Sequence, residues 1–229
     1  MLHSAMSLLT LSVSLVVSSP ATGQVRGVID AAIREETARY QACLEAVPRT
    51  PSDAYEDALS WRMEGGGWPA LHCEARALKQ LGSPTSAAAA LSHLASSSLS
   101  IEDSVRAQLA LEAGEMWMDL SRAEAARDSF QAGLDFEPDH PDLLLGLAHA
   151  QENTGDWSEL NAVASRLVTR VPGYAEAWRL RGRARLELGD IGGAEADMHQ
   201  ARQLDPALIT ALVLRGQINE ARRTEPGAR

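Results

Sequence analysis

Apolar positions recur along this chain every three to four residues, the spacing of one face of a helix. Ile29, Ile33, Tyr40, Leu44 and Val47 share such a face and predict a helix over residues 27–46, ended by Pro48 and Pro51. Ser52 and Asp53 open a second helix to about Glu64, carrying Tyr55, Ala58 and Leu59. Gly65-Gly66-Gly67 stops it, and the three glycines read as a hinge between helix pairs. A phosphate-cradling loop would need a following Lys-Ser/Thr and a preceding strand, and both are missing. Trp68 to Leu81 is a third helix with Pro69 in its first turn, and an Ala-rich fourth runs from Ser83 to Ser97. Ser100-Ile101-Glu102-Asp103 has the form of a capping box with Asp in place of Glu, and predicts a lengthened helix after it.

Beyond that point the pattern becomes periodic. Pro138, Pro172 and Pro206 are each 34 residues apart, closing three copies that start at Ala107, Pro141 and Ala175. The eighth position is small each time: Gly114, Ala148 and Gly182. The twentieth is Ala126, Leu160 and Ala194; the twenty-fourth is Phe130, Ala164 and Met198; the twenty-seventh is Gly133, Leu167 and Ala201. Small residues let two antiparallel helices approach, and the larger apolar ones fill the adjoining holes. Gly155-Asp156 and Gly189-Asp190 supply a left-handed helix end and a cap for the next helix. Ser121-Arg122 departs from this and predicts a less regular turn in the first copy. Residues 68–106 read as a degenerate copy with a connector, lacking the closing proline and carrying about five extra residues. Residues 24–67 form an N-terminal helical segment or cap. Residues 209–222, with Gly216 in the eighth place, form a capping helix, and 223–229 a polar, disordered tail.

The period and the small-residue seam resemble the tetratricopeptide repeat family. The copy from Ala175 carries Trp178, Gly182, Ala194, Ala201 and Pro206 in the family places; it departs at Arg181, where the family prefers Leu, and at Arg185, where it prefers Tyr. The resemblance implies an all-α, right-handed α-solenoid of antiparallel helix pairs. It also implies that the second, fifth, ninth and twelfth positions of each first helix face a concave groove. These are His72, Arg76 and Lys79; then Gln108, Leu111, Glu115 and Met118; then Asp142, Leu145, His149 and Glu152; then Glu176, Arg179, Arg183 and Leu186; and finally Val213 and Gln217. The surface so formed is mixed, with apolar patches and two basic spots. The Lys/Asn clamp of chaperone-binding members is missing. Arg179 and Arg183, one turn apart, either grip a carboxylate or stand as solvated arginines supported by nearby glutamates. The function implied is a non-catalytic scaffold that binds a protein or peptide and needs no cofactor or metal. Residues 40–81 are similar to exported tetratricopeptide proteins of Gram-negative bacteria.

Composition narrows the partners. The 229 residues carry a formal net charge of −10, which gives no electrostatic reason to bind phosphate backbones, so nucleic acid is disfavoured. Lys79 is the only lysine, as expected of a GC-rich genome. Residues 1–23 hold no Lys, Arg, Asp or Glu, and the apolar run from Met6 to Val17 is followed by Ala21-Thr22-Gly23. This is the pattern of a secretory signal cleaved between Gly23 and Gln24, giving a secreted or periplasmic protein. The run is too short for a membrane anchor. An exported chain with two cysteines predicts a disulfide between Cys43 and Cys73; two buried free thiols are the alternative. His72 and Cys73 are neighbours on a helix and point about 100° apart, so they form no nucleophile–base pair. His93, His140, His149 and His199 show no metal-ligand spacing. Two rival functions remain: a structural subunit that self-associates through Leu212, Val213 and Leu214, and a cytosolic adaptor if no signal is cleaved.

Overall fold

The computed structural model describes residues 20–97 and 99–224, and every regular element among them is an α-helix. The chain divides into two compact units, Met1–Arg39 and Tyr40–Arg229. Helix α1 (Pro20–Ala46) supplies the described part of the first unit, where Val25, Val28, Ile29 and Ile33 are exposed. Residues 1–19 of the expected signal lie outside the described residues; Pro20–Gly23 are the opening turn of α1, which continues without a break past Gln24.

The second unit holds the end of α1 and then α2 (Pro51–Met63), α3 (Gly67–Gln80), α4 (Pro84–Ala95), α5 (Asp103–Asp119), α6 (Ala123–Phe136), α7 (Pro141–Thr154), α8 (Trp157–Arg170), α9 (Ala175–Glu187), α10 (Ile191–Leu204) and α11 (Ile209–Thr224). Each helix from α2 onwards packs on the next, and α5, α7, α9 and α11 also touch in succession. This is a solenoid of helix pairs in which contacts stay between neighbours. Its core is correspondingly segmented, with Phe130, Leu143, Leu147, Leu160, Leu167 and Leu180 at the centre of the largest cluster.

The closing prolines act through the residue before them. Glu137, Val171 and Asp205 have φ/ψ of −123/82, −129/68 and −137/96, because the proline ring disfavours the helical region one position upstream. Helices α6, α8 and α10 therefore end two residues before Pro138, Pro172 and Pro206. Helix α11 runs two residues past the expected end of the capping helix, to Thr224; the rest of the expected tail, 225–229, lies outside the described residues.

Three local expectations are corrected. The turn at Ser121 is as regular as the glycine turns: Ser121 takes φ 57°, beside 80° for Gly82, 78° for Gly155 and 83° for Gly189. In all four turns the next residue's N–H returns to the carbonyl five residues back: Ser83 to Leu78, Arg122 to Trp117, Asp156 to Gln151 and Asp190 to Arg185. The bond pattern that ends the helix demands the left-handed residue, and serine accepts it at some cost. Of the two aspartates expected to cap, only Asp190 does, accepting from the Gly193 N–H at 2.9 Å. Asp156 instead accepts from the Thr154 hydroxyl at 2.6 Å and from Arg127 at 3.2 Å.

The third correction is at the capping box. Glu102 is the N-cap and makes no side-chain cap bond; Ser100 lies outside the helix. The lengthened helix α5 (17 residues) is real, but a different residue organises its approach. The Arg106 guanidinium donates to the carbonyls of Ala95 (2.7 Å), Ser97 (2.8 Å), Leu99 and Ile101 (3.3 Å), and stacks 5.3 Å from the centre of the Phe136 ring. One planar cation with five donors thus satisfies a run of loop carbonyls that no helix or strand takes up.

At the glycine triplet, Gly65 and Gly67 are left-handed, and Gly66 lies so close over the Trp61 indole that an added Cβ would sit 2.4 Å from it. The triplet is a tight corner between α2 and α3.

Candidate groove on the first-helix face

Two adjoining clefts open on the face formed by the first helix of each pair. The central one, about 320 Å³, is bounded by α5 and α7 and lined by Leu111, Glu115, Met118, Asp119, Phe130, Asp142, Leu145, Gly146 and His149. The second, also about 320 Å³, is bounded by α7, α9 and α11 and lined by His149, Glu152, Glu176, Arg179, Arg183, Thr210, Val213, Leu214 and Gln217. His149 belongs to both. Positions spaced by three to four residues on α5, α7 and α9 thus converge on one surface, as helical periodicity requires.

Not every expected groove residue is available there. His72 is buried: its Nδ1 accepts from the Tyr40 hydroxyl at 2.5 Å and its Nε2 donates to Glu112 at 2.8 Å. Arg76 donates to the other Glu112 oxygen at 2.8 Å. Burial would raise the Glu112 carboxyl, but the bonds from His72 and Arg76 leave it below the ordinary range. Burial, and then the Glu112 charge, push the Tyr40 phenol up to about 12. The Tyr40–His72–Glu112 chain of hydrogen bonds links α1, α3 and α5. Its His72–Glu112 bond joins α3 to α5, whose backbones do not approach among the described residues.

Arg179 is likewise not a free cation. It is 6% exposed and donates to both oxygens of Glu152 (2.8 Å for the longer bond) and to Glu176 at 2.6 Å and 3.1 Å. Burial would raise the Glu152 carboxyl; His149 at 3.9 Å and the bonded Arg179 hold it down to about 2. Arg183 pairs with Glu187 at 2.6 Å, the i to i+4 support, and stacks 5.1 Å from the Trp157 ring. Of the two alternatives for these arginines, the geometry has glutamate pairs on both, with Arg179 buried rather than solvated. Leu186 packs against the terminal cluster of Ala194, Met198, Leu214 and Ile218. Lys79, Gln108, Glu115, Asp142 and Val213 are exposed, whereas Met118, Leu145, His149, Glu152, Glu176 and Gln217 are half-buried and Leu111 is buried.

Cys43 and Cys73 form a disulfide, with Cα atoms 6.3 Å apart, that ties the end of α1 to α3. Cys73 is fully buried, so no thiol stands beside His72. Among the described residues no group of three or more His, Cys, Asp and Glu could hold a metal, and no helix is long and apolar enough to cross a membrane.

The departures at Arg181 and Arg185 have a common cause that sequence reasoning missed. Both donate to Asp197, at 2.6–2.8 Å and 2.9 Å, and Asp197 is 2% exposed. Arg181 also stacks 4.7 Å from the Trp178 ring. The same three places hold Ala113, Trp117 and Ser129 in the first copy, and Leu147, Gln151 and Val163 in the second. A buried carboxylate requires compensation, so the arginines and Asp197 come as a set.

The array of helix pairs has counterparts among solved structures. YrrB, described as a tetratricopeptide repeat protein with an unusual peptide-binding site, matches with TM-score 0.62 at 12% identity, over 76% of this chain and 86% of that one. The chain has the tetratricopeptide-repeat fold. MamA of Desulfovibrio magneticus RS-1 shares this fold with TM-score 0.58 at 14% identity, over 76% of this chain and 96% of that one. In sequence, the CTR9 homolog of Arabidopsis thaliana is 34% identical over 104 residues, 45% of this chain and 10% of that protein. The chain spans 6–27% of the length of the curated relatives it matches. No family model matches it.

Proposed function

We propose that this tetratricopeptide array is a non-catalytic scaffold that holds a segment of another protein on its first-helix face. The observation that carries this is the pair of adjoining clefts meeting at His149, built from successive first helices. A solenoid presents such a surface without a rearrangement of its core, and it suits an extended or helical segment. YrrB, which has the same fold, carries a peptide-binding site. The test is site-specific photo-crosslinking. A photoreactive residue in place of Met118 or His149 is expected to capture a partner in cells, and one in place of Asp128 on the second-helix side is not. Capture from Asp128 alone overturns the choice of face.

We further propose that the protein acts in the cell envelope after export. The apolar N-terminal run supports this, and so does the Cys43–Cys73 disulfide, which suits an oxidising compartment. Sequencing the N-terminus of the mature protein tests it: Gln24 is the expected first residue, and an intact Met1 favours the cytosolic adaptor.

A second reading is favoured by one observation. Ile209, Leu212 and Val213 are exposed on α11, so self-association could occur there; Leu214, expected to join them, is 2% exposed in the terminal core and cannot. Concentration-dependent sedimentation that Leu212→Glu abolishes would establish it.

A further inference from the structure

Within that groove, the two clefts differ in what charge they leave unanswered. Around the second cleft the cation Arg179 is consumed by Glu152 and Glu176, and Arg183 by Glu187. An acidic segment or a terminal carboxylate arriving there meets guanidinium groups that are already engaged, and would have to break internal pairs to use them. Around the central cleft the situation is reversed. Glu115, Asp119 and Asp142 are exposed, and among the described residues no basic side chain forms an ion pair with them. Burial pushes the Glu115 carboxyl up, and the charges of Glu112, Asp119 and Asp142 push it further; Lys79 opposes them only in part. Three like charges therefore stand around a floor made by Leu111, Met118 and Leu145. A bare apolar floor calls for apolar side chains, and a rim of mutually repelling carboxylates calls for cations.

We infer, on the footing that the first-helix face binds a partner, that the central cleft takes a cationic amphipathic segment of that protein. Its Lys or Arg side chains stand against Glu115, Asp119 and Asp142, and its apolar side chains on Leu111, Met118 and Leu145. Such a segment relieves the repulsion on the rim while covering the floor. The second cleft, with its cations internally paired, adds shape rather than charge selection.

The experiment sorts a random library of short phage-displayed peptides against the full chain with its disulfide intact. Two variants run beside it: Glu115→Gln with Asp119→Asn and Asp142→Asn, and Met118→Ala with Leu145→Ala. The first variant removes repulsion between exposed groups and keeps the fold; circular dichroism confirms that both are helical. Wild type is expected to enrich peptides in which Lys or Arg alternates with apolar residues. The neutralised rim should weaken their binding about tenfold, from three exposed charge pairs of ordinary strength. Added salt should weaken wild type more than the rim variant. Enrichment of acidic or uncharged peptides, or equal binding of basic peptides to wild type and rim variant, overturns the charge assignment. The groove itself stands in that case if the floor variant loses the peptides. Peptides held equally by the floor variant overturn the groove as well. No enrichment, together with a dimer that the floor variant splits, would make the occupant a second copy and end the proposal.

Discussion

The Phe130 ring packs against the bare backbone of Gly114: a methyl group on Gly114 would lie 2.4 Å from it, and one on Gly146 2.5 Å from the same ring. Phe130 thus fits between α5 and α7 because neither helix has a side chain there. Gly114→Ala gains about 1 kcal/mol of helix propensity but overpacks a site with no flexible neighbour, which costs roughly 1–3 kcal/mol. A net loss of stability is expected by urea denaturation. Gly216→Ala, on a helix where nothing lies within 4 Å, should instead gain about 1 kcal/mol.

Arg179 joins α7 to α9 through Glu152. Arg179→Leu leaves two half-buried carboxylates without their cation and is expected to cost about 3 kcal/mol, the low end for a buried pair. The acid dependence changes with it. Glu152 titrates at about 2 in the folded chain against an ordinary 4.5, so the unfolded chain binds its proton first. The stability that Glu152 contributes is whole above pH 4.5 and is lost as pH falls toward about 2. Melting temperatures measured across that window should fall less steeply in Arg179→Leu than in wild type.

Reduction of the Cys43–Cys73 bond opens a loop of 30 residues. By the chain-entropy relation the bond is worth about 3.5 kcal/mol. Denaturation with and without a reducing thiol should differ by roughly that amount, and non-reducing mass spectrometry of the purified protein should find both thiols blocked. Two free thiols would contradict this.

Ser121 holds a left-handed backbone, φ 57°, that glycine adopts at the equivalent turns. Ser121→Gly is expected to raise stability by about 1 kcal/mol, because the strain of a Cβ in that region outweighs the entropy that glycine adds to the unfolded chain. Thermal melts decide this, and a decrease would mean that the serine is unstrained.

Arg106 donates to four carbonyls of the 95–101 segment. Arg106→Lys keeps the charge but not the planar fork, and is expected to cost about 2 kcal/mol. Faster hydrogen exchange in the first turn of α5 would accompany the loss.

Much of the solenoid was legible because its determinants are local and repeat. A proline every 34 residues bends its predecessor out of the helix, and small residues at one register mark the seam. The Ser121 turn is not legible from residue type, because the bond from Arg122 to Trp117 fixes its conformation. The groove positions followed from helical spacing, but their availability did not. His72 is taken up by Tyr40 and Glu112, which lie 32 and 40 residues away, and Arg179 by Glu152, 27 residues away. Pairings between copies leave no trace in the period of a single sequence. The Arg181, Arg185 and Asp197 set was more accessible: Asp stands where the other copies have Ser and Val, and two arginines stand where Leu and Tyr belong.

The two ends of the array are unequal. Near the first, α1 and α3 are covalently stapled; at the last, α11 rests on a small cluster formed by Ala194, Met198, Leu214 and Ile218. A chain whose contacts run only between neighbours opens like a zipper from its weaker end. Thermal opening should therefore begin at α11 and travel toward the staple. The second cleft takes Thr210, Val213, Leu214 and Gln217 from that same helix. Whatever lodges there acts as a latch, so occupancy of the surface and the lifetime of the loose end are linked: a guest held at one slows fraying at the other.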